Sequence, residues 1–159
     1  MKKILLFVFM ILLSKAGMSQ AENFDLQDLL TSTNQQRLKY GKKATKKKPG
    51  IDTLVWNETL AAAARVQADF LYNKRKLTHT GSFGSSVGSR IKKLGYKWST
   101  CGENIAKGQE SIPEVIKAWM QSPGHRRNIL DPNFVEFGAA VLIGKDGQLI
   151  WVQVFGTLK

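Results

Sequence analysis

Apolar residues recur at helical spacing through the first two thirds of this chain and pack into two dense runs near its end. Between Phe24 and Tyr40, Leu26, Leu29, Leu30 and Leu38 follow a helix-like pattern that leaves Asn34 and Arg37 for polar contacts. A second helix is predicted from Asn57, a good N-cap with Glu58 in the first turn, to about Lys74. Leu60, Ala64, Ala68 and Leu71 share one face, with Phe70 adjacent, and the run Ala61 to Ala64 lets another layer approach closely. A short helix is expected from Ser86 to Leu94, ended by Gly95. Ser111-Ile112-Pro113-Glu114 reads as a capping box that starts a helix to about Gln121, with Val115, Ile116 and Trp119 on its apolar face. Pro123 and Gly124 are expected to stop that helix and expose His125.

The tail changes period. Phe137 to Ile143 and Leu149 to Phe155 are rich in β-forming residues and are joined by Gly144-Lys145-Asp146-Gly147, a strong hairpin signal. Helices first and strands last imply an α+β fold, with helices packed on an antiparallel sheet.

The N-terminus stands apart. Lys2 and Lys3 precede a continuous apolar run, Ile4 to Leu13, and Ser19-Gln20-Ala21 supplies small residues at the usual cleavage positions, with Ala16 as a competing site. The run is too short to span a bilayer comfortably, so residues 1–21 read as a cleavable signal peptide rather than a permanent transmembrane anchor. Residues 22–159 then form one exported domain, secreted or periplasmic. Loss of Lys2, Lys3 and Lys15 takes the formal charge from +12 to about +9. Much of the excess lies in Lys39, Lys42, Lys43, Lys46, Lys47 and Lys48, which with Gly41, Pro49 and Gly50 mark a Lys-rich loop at about 41–50. The single cysteine, Cys101, excludes both an intramolecular disulfide and a lipid-modified cysteine at the leader junction. It reads as a small buried hydrophobe in preference to a nucleophile served by His79.

Only two histidines occur, each in a polar, glycine-flanked segment: His79 before Thr80-Gly81-Ser82-Phe83-Gly84-Ser85-Ser86, and His125 between Gly124 and Arg126. Glu103 lies between them in sequence and is able to orient an imidazole, so the three are candidates for one site of proton transfer or metal binding. Arg126 and Arg127 are expected to lower the His125 pKa or to hold an anion.

The chain from about Leu29 to Phe155 resembles the CAP superfamily, the SCP or cysteine-rich secretory, antigen 5 and pathogenesis-related 1 family, in its small bacterial form. The resemblance rests on Asn34 to Arg37, on Leu54-Val55-Trp56-Asn57-Glu58-Thr59-Leu60, on Gly102-Glu103-Asn104-Ile105, and on the run from Trp119 to Leu130. It implies an α-β-α sandwich with a polar cleft at one side of the sheet, lined by His79, Glu103, Asn104 and His125. In many relatives the cleft holds a second acid, which the eukaryotic members place as a glutamate shortly after the helix tryptophan. Here Gln121 and Ser122 follow Trp119, which leaves Glu114 and Glu136 as substitutes.

The basic loop and the polar cleft point to a binding or interaction module whose partner is a lipid, an anionic envelope polymer or an extracellular protein, the alternative for the loop being a merely solvated one. Nucleic acid fits poorly, because no aromatic residue interleaves with the lysines. The alternative is a His/Glu- or metal-assisted extracellular hydrolase, with His79, Glu103 and His125 as its catalytic candidates. No Gly-x-Ser-x-Gly elbow is present, and Ser82 and Ser85 lie in a loop expected to be flexible. If a cofactor is used, it is a divalent metal such as zinc held by His79 and His125, with Glu103 or water completing the shell.

Overall fold

The computed structural model describes residues 24–41, 50–72, 74 and 76–159. The signal-peptide reading and Lys42 to Lys48 lie outside them. Among the described residues five helices surround a four-stranded sheet: α1 (Leu26–Tyr40), β1 (Val55–Trp56), α2 (Glu58–Leu71), α3 (Val87–Lys93), β2 (Trp98–Lys107), α4 (Ile112–Gln121), α5 (Pro123–Ile129), β3 (Glu136–Ile143) and β4 (Leu149–Leu158). A 3₁₀ turn, Ser82–Gly84, precedes α3. Among the described residues no helix is long and apolar enough to cross a membrane.

Local chemistry sets most of these boundaries. The Asn57 side chain accepts from the amides of Thr59 and Leu60, Ser86 caps α3 through the Ser89 amide, and Ser111 accepts from Glu114. Gly95, at φ 94°, turns the chain just beyond α3 in a conformation that costs a side chain energy. The hairpin forms as its Asp-Gly pair indicates, with β3 and β4 antiparallel from Glu136 opposite Gly156 to Ile143 opposite Leu149.

The sheet order is β1-β3-β4-β2. Its three long strands are antiparallel, as expected, but the two-residue β1 runs parallel to β3, so the sheet is mixed. Sequence reasoning assigned no strand to residues 98–107, and the chain there forms β2, which pairs only with β4 and is therefore an edge.

Alternation along the strands divides the core into two layers. Phe137, Ala139, Val141, Trp151 and Phe155 meet Leu29 and Leu30 of α1, Val115, Ile116 and Trp119 of α4, and Ile129 of α5. Ala140, Leu142, Ile150, Val152 and Val154 meet Leu60, Ala63, Ala64, Ala68 and Leu71 of α2, and Ile91 of α3. Each large side chain sealed in these layers stabilises the fold by about 1.5–3 kcal/mol. The small face of α2 allows contact at backbone distance: a Cβ on Gly138 of β3 would stand 2.0 Å from the Ala61 nitrogen.

Arg37, almost fully buried, ties α1 to the rest of the domain. Its Nε donates to Asp52 O, and its terminal nitrogens donate to Ile129 O, Asp131 O and Phe134 O at 2.7–3.0 Å. Burial lowers its pKa to about 10, with Asp131 and Asp52 opposing the shift. Asn34 makes a reciprocal pair with the backbone of Leu54. The Asn-x-x-Arg spacing thus fixes the path of two long connections.

Candidate functional site at the edge of β2

Strand geometry sends consecutive side chains to opposite faces, and Glu103 and Asn104 use this to reach both layers. Glu103 faces α3, where one carboxylate oxygen meets the Arg90 guanidinium and the other lies 2.9 Å from His79 Nδ1. A carboxylate only accepts, so Nδ1 carries the proton and the lone pair of His79 sits on Nε2. The Glu103 side chain is 2% exposed and that of His79 58%, so the acid is sealed beneath an accessible imidazole.

Arg90 completes this half of the site. Its Nη1 donates to His79 O at 3.3 Å and to Ser85 O at 3.0 Å, so one buried guanidinium holds Glu103 and the backbone on both sides of the Ser82–Gly84 turn. Sequence reasoning passed over Arg90. The available signal was an arginine one helical turn after a serine N-cap, beside Ile91, in a helix whose remaining basic residues cluster at its end.

Asn104, on the opposite face, is fully buried and donates to His125 O at 3.2 Å and to Gln153 Oε1 at 3.1 Å. Gln153 passes the chain of bonds to Thr33 Oγ1 at 2.9 Å, and Thr33 donates to Leu29 O. Asn104 therefore supports the His125 segment from within and, being sealed, does not face solvent as a ligand-lining residue would.

Two of the carbonyls that β2 turns away from β4 are occupied by side chains. Asn128 of α5 donates to Glu103 O at 3.1 Å and also to Asn104 Oδ1, while Trp119 of α4 reaches Ile105 O at 3.4 Å. These two side chains clamp the edge strand and present the segment between them, including His125. The helix stops before Pro123 as expected, but the expectation that His125 is then exposed needs correcting: Pro123 starts α5, and His125 lies half-buried within it.

The His125 pKa is lowered by burial and, second, by the charge of His79. Arg126 and Arg127, expected to produce this shift, are not among its causes; both are exposed on α5. Neither proposed substitute for the second acid joins the site. Glu114 bonds the Glu110 amide at the start of α4, and Glu136 accepts from Asn57 Nδ2 and the Tyr96 hydroxyl. Cys101 is partly buried against the α2–α3 layer rather than sealed in it, and burial followed by Glu103 raises its thiol pKa. A neutral thiol is a poor nucleophile.

Among the described residues no three His, Cys, Asp or Glu side chains are arranged to hold a metal ion. Glu103 is sealed beneath His79 and paired with Arg90, so of the expected ligands a divalent ion would be left with the two imidazoles and water. Such a donor set suits an open, exchangeable site and not a structural one.

The model of the cysteine-rich secretory protein family, CAP, matches residues 30–155. The Bacillus subtilis protein YkwD is 39% identical over 112 residues, which is 70% of this chain and 42% of that relative's length. An outer surface protein from Borrelia burgdorferi superposes with a TM-score of 0.72 at 26% identity, covering 84% of this chain and 92% of its own. An extracellular SCP-domain protein from Bacillus anthracis shares the fold, with a TM-score of 0.68 at 22% identity over 84% of this chain and 40% of its own. With that family model spanning residues 30–155 and the same fold in its bacterial relatives, the chain belongs to the CAP, or cysteine-rich secretory protein, family.

Proposed function

We propose that this chain is an exported recognition module that reads its ligand with His79 and His125 at the edge of β2. The observation carrying this reading is the double engagement of Glu103, which is bonded on one oxygen by His79 and on the other by Arg90. That arrangement fixes an accessible imidazole in one tautomer and seals the Glu103 carboxylate beneath it, and with no serine elbow in the sequence and the Cys101 thiol held neutral by burial, the site favours recognition over hydrolysis. The outer-surface and extracellular relatives support the exported setting. A divalent ion such as zinc, when bound, would supply positive charge for an anionic group of the ligand. The two imidazoles would hold it, with Glu103 as the outer partner that orients His79. The lysines from Lys39 to Lys48 are suited to drawing the domain toward anionic envelope material.

The test is native purification of the secreted protein, with mass spectrometry of retained ligands and metals, repeated on His79→Ala and His125→Ala. The reading requires both variants to lose what the parent retains. Retention unchanged in both would move recognition elsewhere, and a substrate turned over by the parent but not by His79→Ala would establish the hydrolase instead.

A further inference from the structure

Phe83 combines two properties that the fold does not use. Its backbone is left-handed, φ 55° and ψ 31°, a conformation that bulky residues avoid and that glycine adopts freely. Its side chain is fully exposed and packs against neither core layer. Backbone geometry therefore favours glycine here, and packing offers phenylalanine nothing. A strained, solvent-facing aromatic is best accounted for by something outside the domain.

The position of the turn indicates where that partner lies. Gly81 N donates to Ser85 O at 2.8 Å and Ser85 N to Ser82 O at 3.1 Å, which closes the turn on itself. Arg90 Nη1 holds His79 O on one side and Ser85 O on the other. The Phe83 turn is thus fixed to the backbone of His79 by the same guanidinium that pairs with Glu103.

The chemistry around the ring narrows the class of ligand. Thr80, Ser82 and Ser86 are exposed, His79 presents Nε2, and the segment from His79 to Ser86 contains no second apolar side chain and no charge. A loop that inserts into lipid, or anchors a protein interface, needs more apolar surface than one ring. A single aromatic face among hydroxyls and an imidazole suits a sugar. The C–H groups on one face of a pyranose carry partial positive charge that matches the negative face of the ring, and its hydroxyls pair with polar neighbours.

We propose that Phe83 is a ligand-contacting residue that stacks on a sugar ring of an envelope glycan, beside the His79 end of the site. This rests on the recognition reading above and adds the ligand class. The experiment titrates the domain with short β-1,4-linked N-acetylglucosamine oligosaccharides by calorimetry, alongside phosphatidylglycerol-containing vesicles by cosedimentation. Phe83→Ala and Phe83→Gly should each weaken oligosaccharide binding roughly three- to tenfold, the worth of one aromatic contact, while Phe83→Trp retains it. Phe83→Gly should also raise the melting temperature, since it relieves the backbone. Loss of binding with a gain in stability cannot come from misfolding. A parent that binds no oligosaccharide, or a Phe83→Gly variant that binds it undiminished, overturns the proposal. So does vesicle binding that depends on Phe83. If His79→Ala abolishes binding while Phe83→Gly leaves it intact, the histidine site stands and the stacking role fails.

Discussion

Glu103 and Asn104 are neighbours in sequence that hold the two histidines from opposite faces of one strand. Glu103 bonds the His79 ring, while Asn104 bonds the backbone carbonyl of His125. The site therefore depends on the pleat of β2, and a one-residue slip in its register would exchange the two roles.

The buried Arg90–Glu103 pair provides the sharpest energetic test. Arg90→Met strands a carboxylate in the α3 layer and is expected to cost about 3–5 kcal/mol. Arg90→Met with Glu103→Leu should recover most of that loss, because two apolar groups leave no charge unpaired. Urea unfolding of the four proteins in this cycle measures the coupling. Equal costs for the single and double variants would show that the pair contributes only packing.

His125 makes stability depend on pH in a definite direction. Burial and His79 lower its folded-state pKa below the ordinary 6.5, so between the two values the unfolded chain binds more protons. Stability should be full above pH 6.5, fall as the pH drops below it, and stop falling on this account below the folded-state value. His125→Gln should flatten that part of the profile in chemical denaturation measured across the range. An unchanged slope would assign the dependence to other groups.

Much of this architecture could be read from sequence where the cause is local. Asn57, Ser86 and Ser111 cap helices that begin beside them, and Asp146-Gly147 closes a hairpin between adjoining strands. The resemblance to the family also pointed to His79, Glu103 and His125 together. Gln153 and Thr33 escaped notice because they lie 120 residues apart, whereas Arg90, only 13 residues from Glu103, reads in sequence as one more basic residue of a short helix. β2 escaped for a different reason. Gly102, Glu103 and Asn104 are poor strand formers, and the segment is extended because β4 pairs with it and Trp119 and Asn128 hold its other side.

Zinc binding, if the imidazoles supply it, should respond to the outer partner as well as to the ligands. His79→Ala and His125→Ala are each expected to abolish measurable binding, whereas Glu103→Gln should weaken it by about ten- to a hundredfold by loosening the His79 ring. Affinity should fall as acid protonates the imidazoles. Calorimetry on the metal-stripped domain checks all three variants, and full affinity in either histidine variant would place the metal elsewhere.

Gly138→Ala probes the close approach of α2. A methyl group 2.0 Å from the Ala61 nitrogen and 2.3 Å from the Leu60 carbonyl carbon cannot be absorbed by rotating a side chain. The helix must lift from β3, at a cost of about 3 kcal/mol or more. Thermal unfolding compared with the parent would show a large drop, and a variant of parental stability would mean that α2 shifts freely over the sheet.

The clamp on β2 also bears on how the protein behaves when crowded with copies of itself. An outermost strand with open carbonyls invites a second molecule to extend the sheet, a route to aggregates that a protein without disulfides has few means to resist. Trp119 and Asn128 occupy the Ile105 and Glu103 carbonyls, so the side chains that frame His125 also deny the middle of that strand to a stranger. A lineage that reshaped its ligand site by changing Asn128 would expose itself to self-association, which ties the variety of ligands this scaffold can explore to its need to stay dispersed.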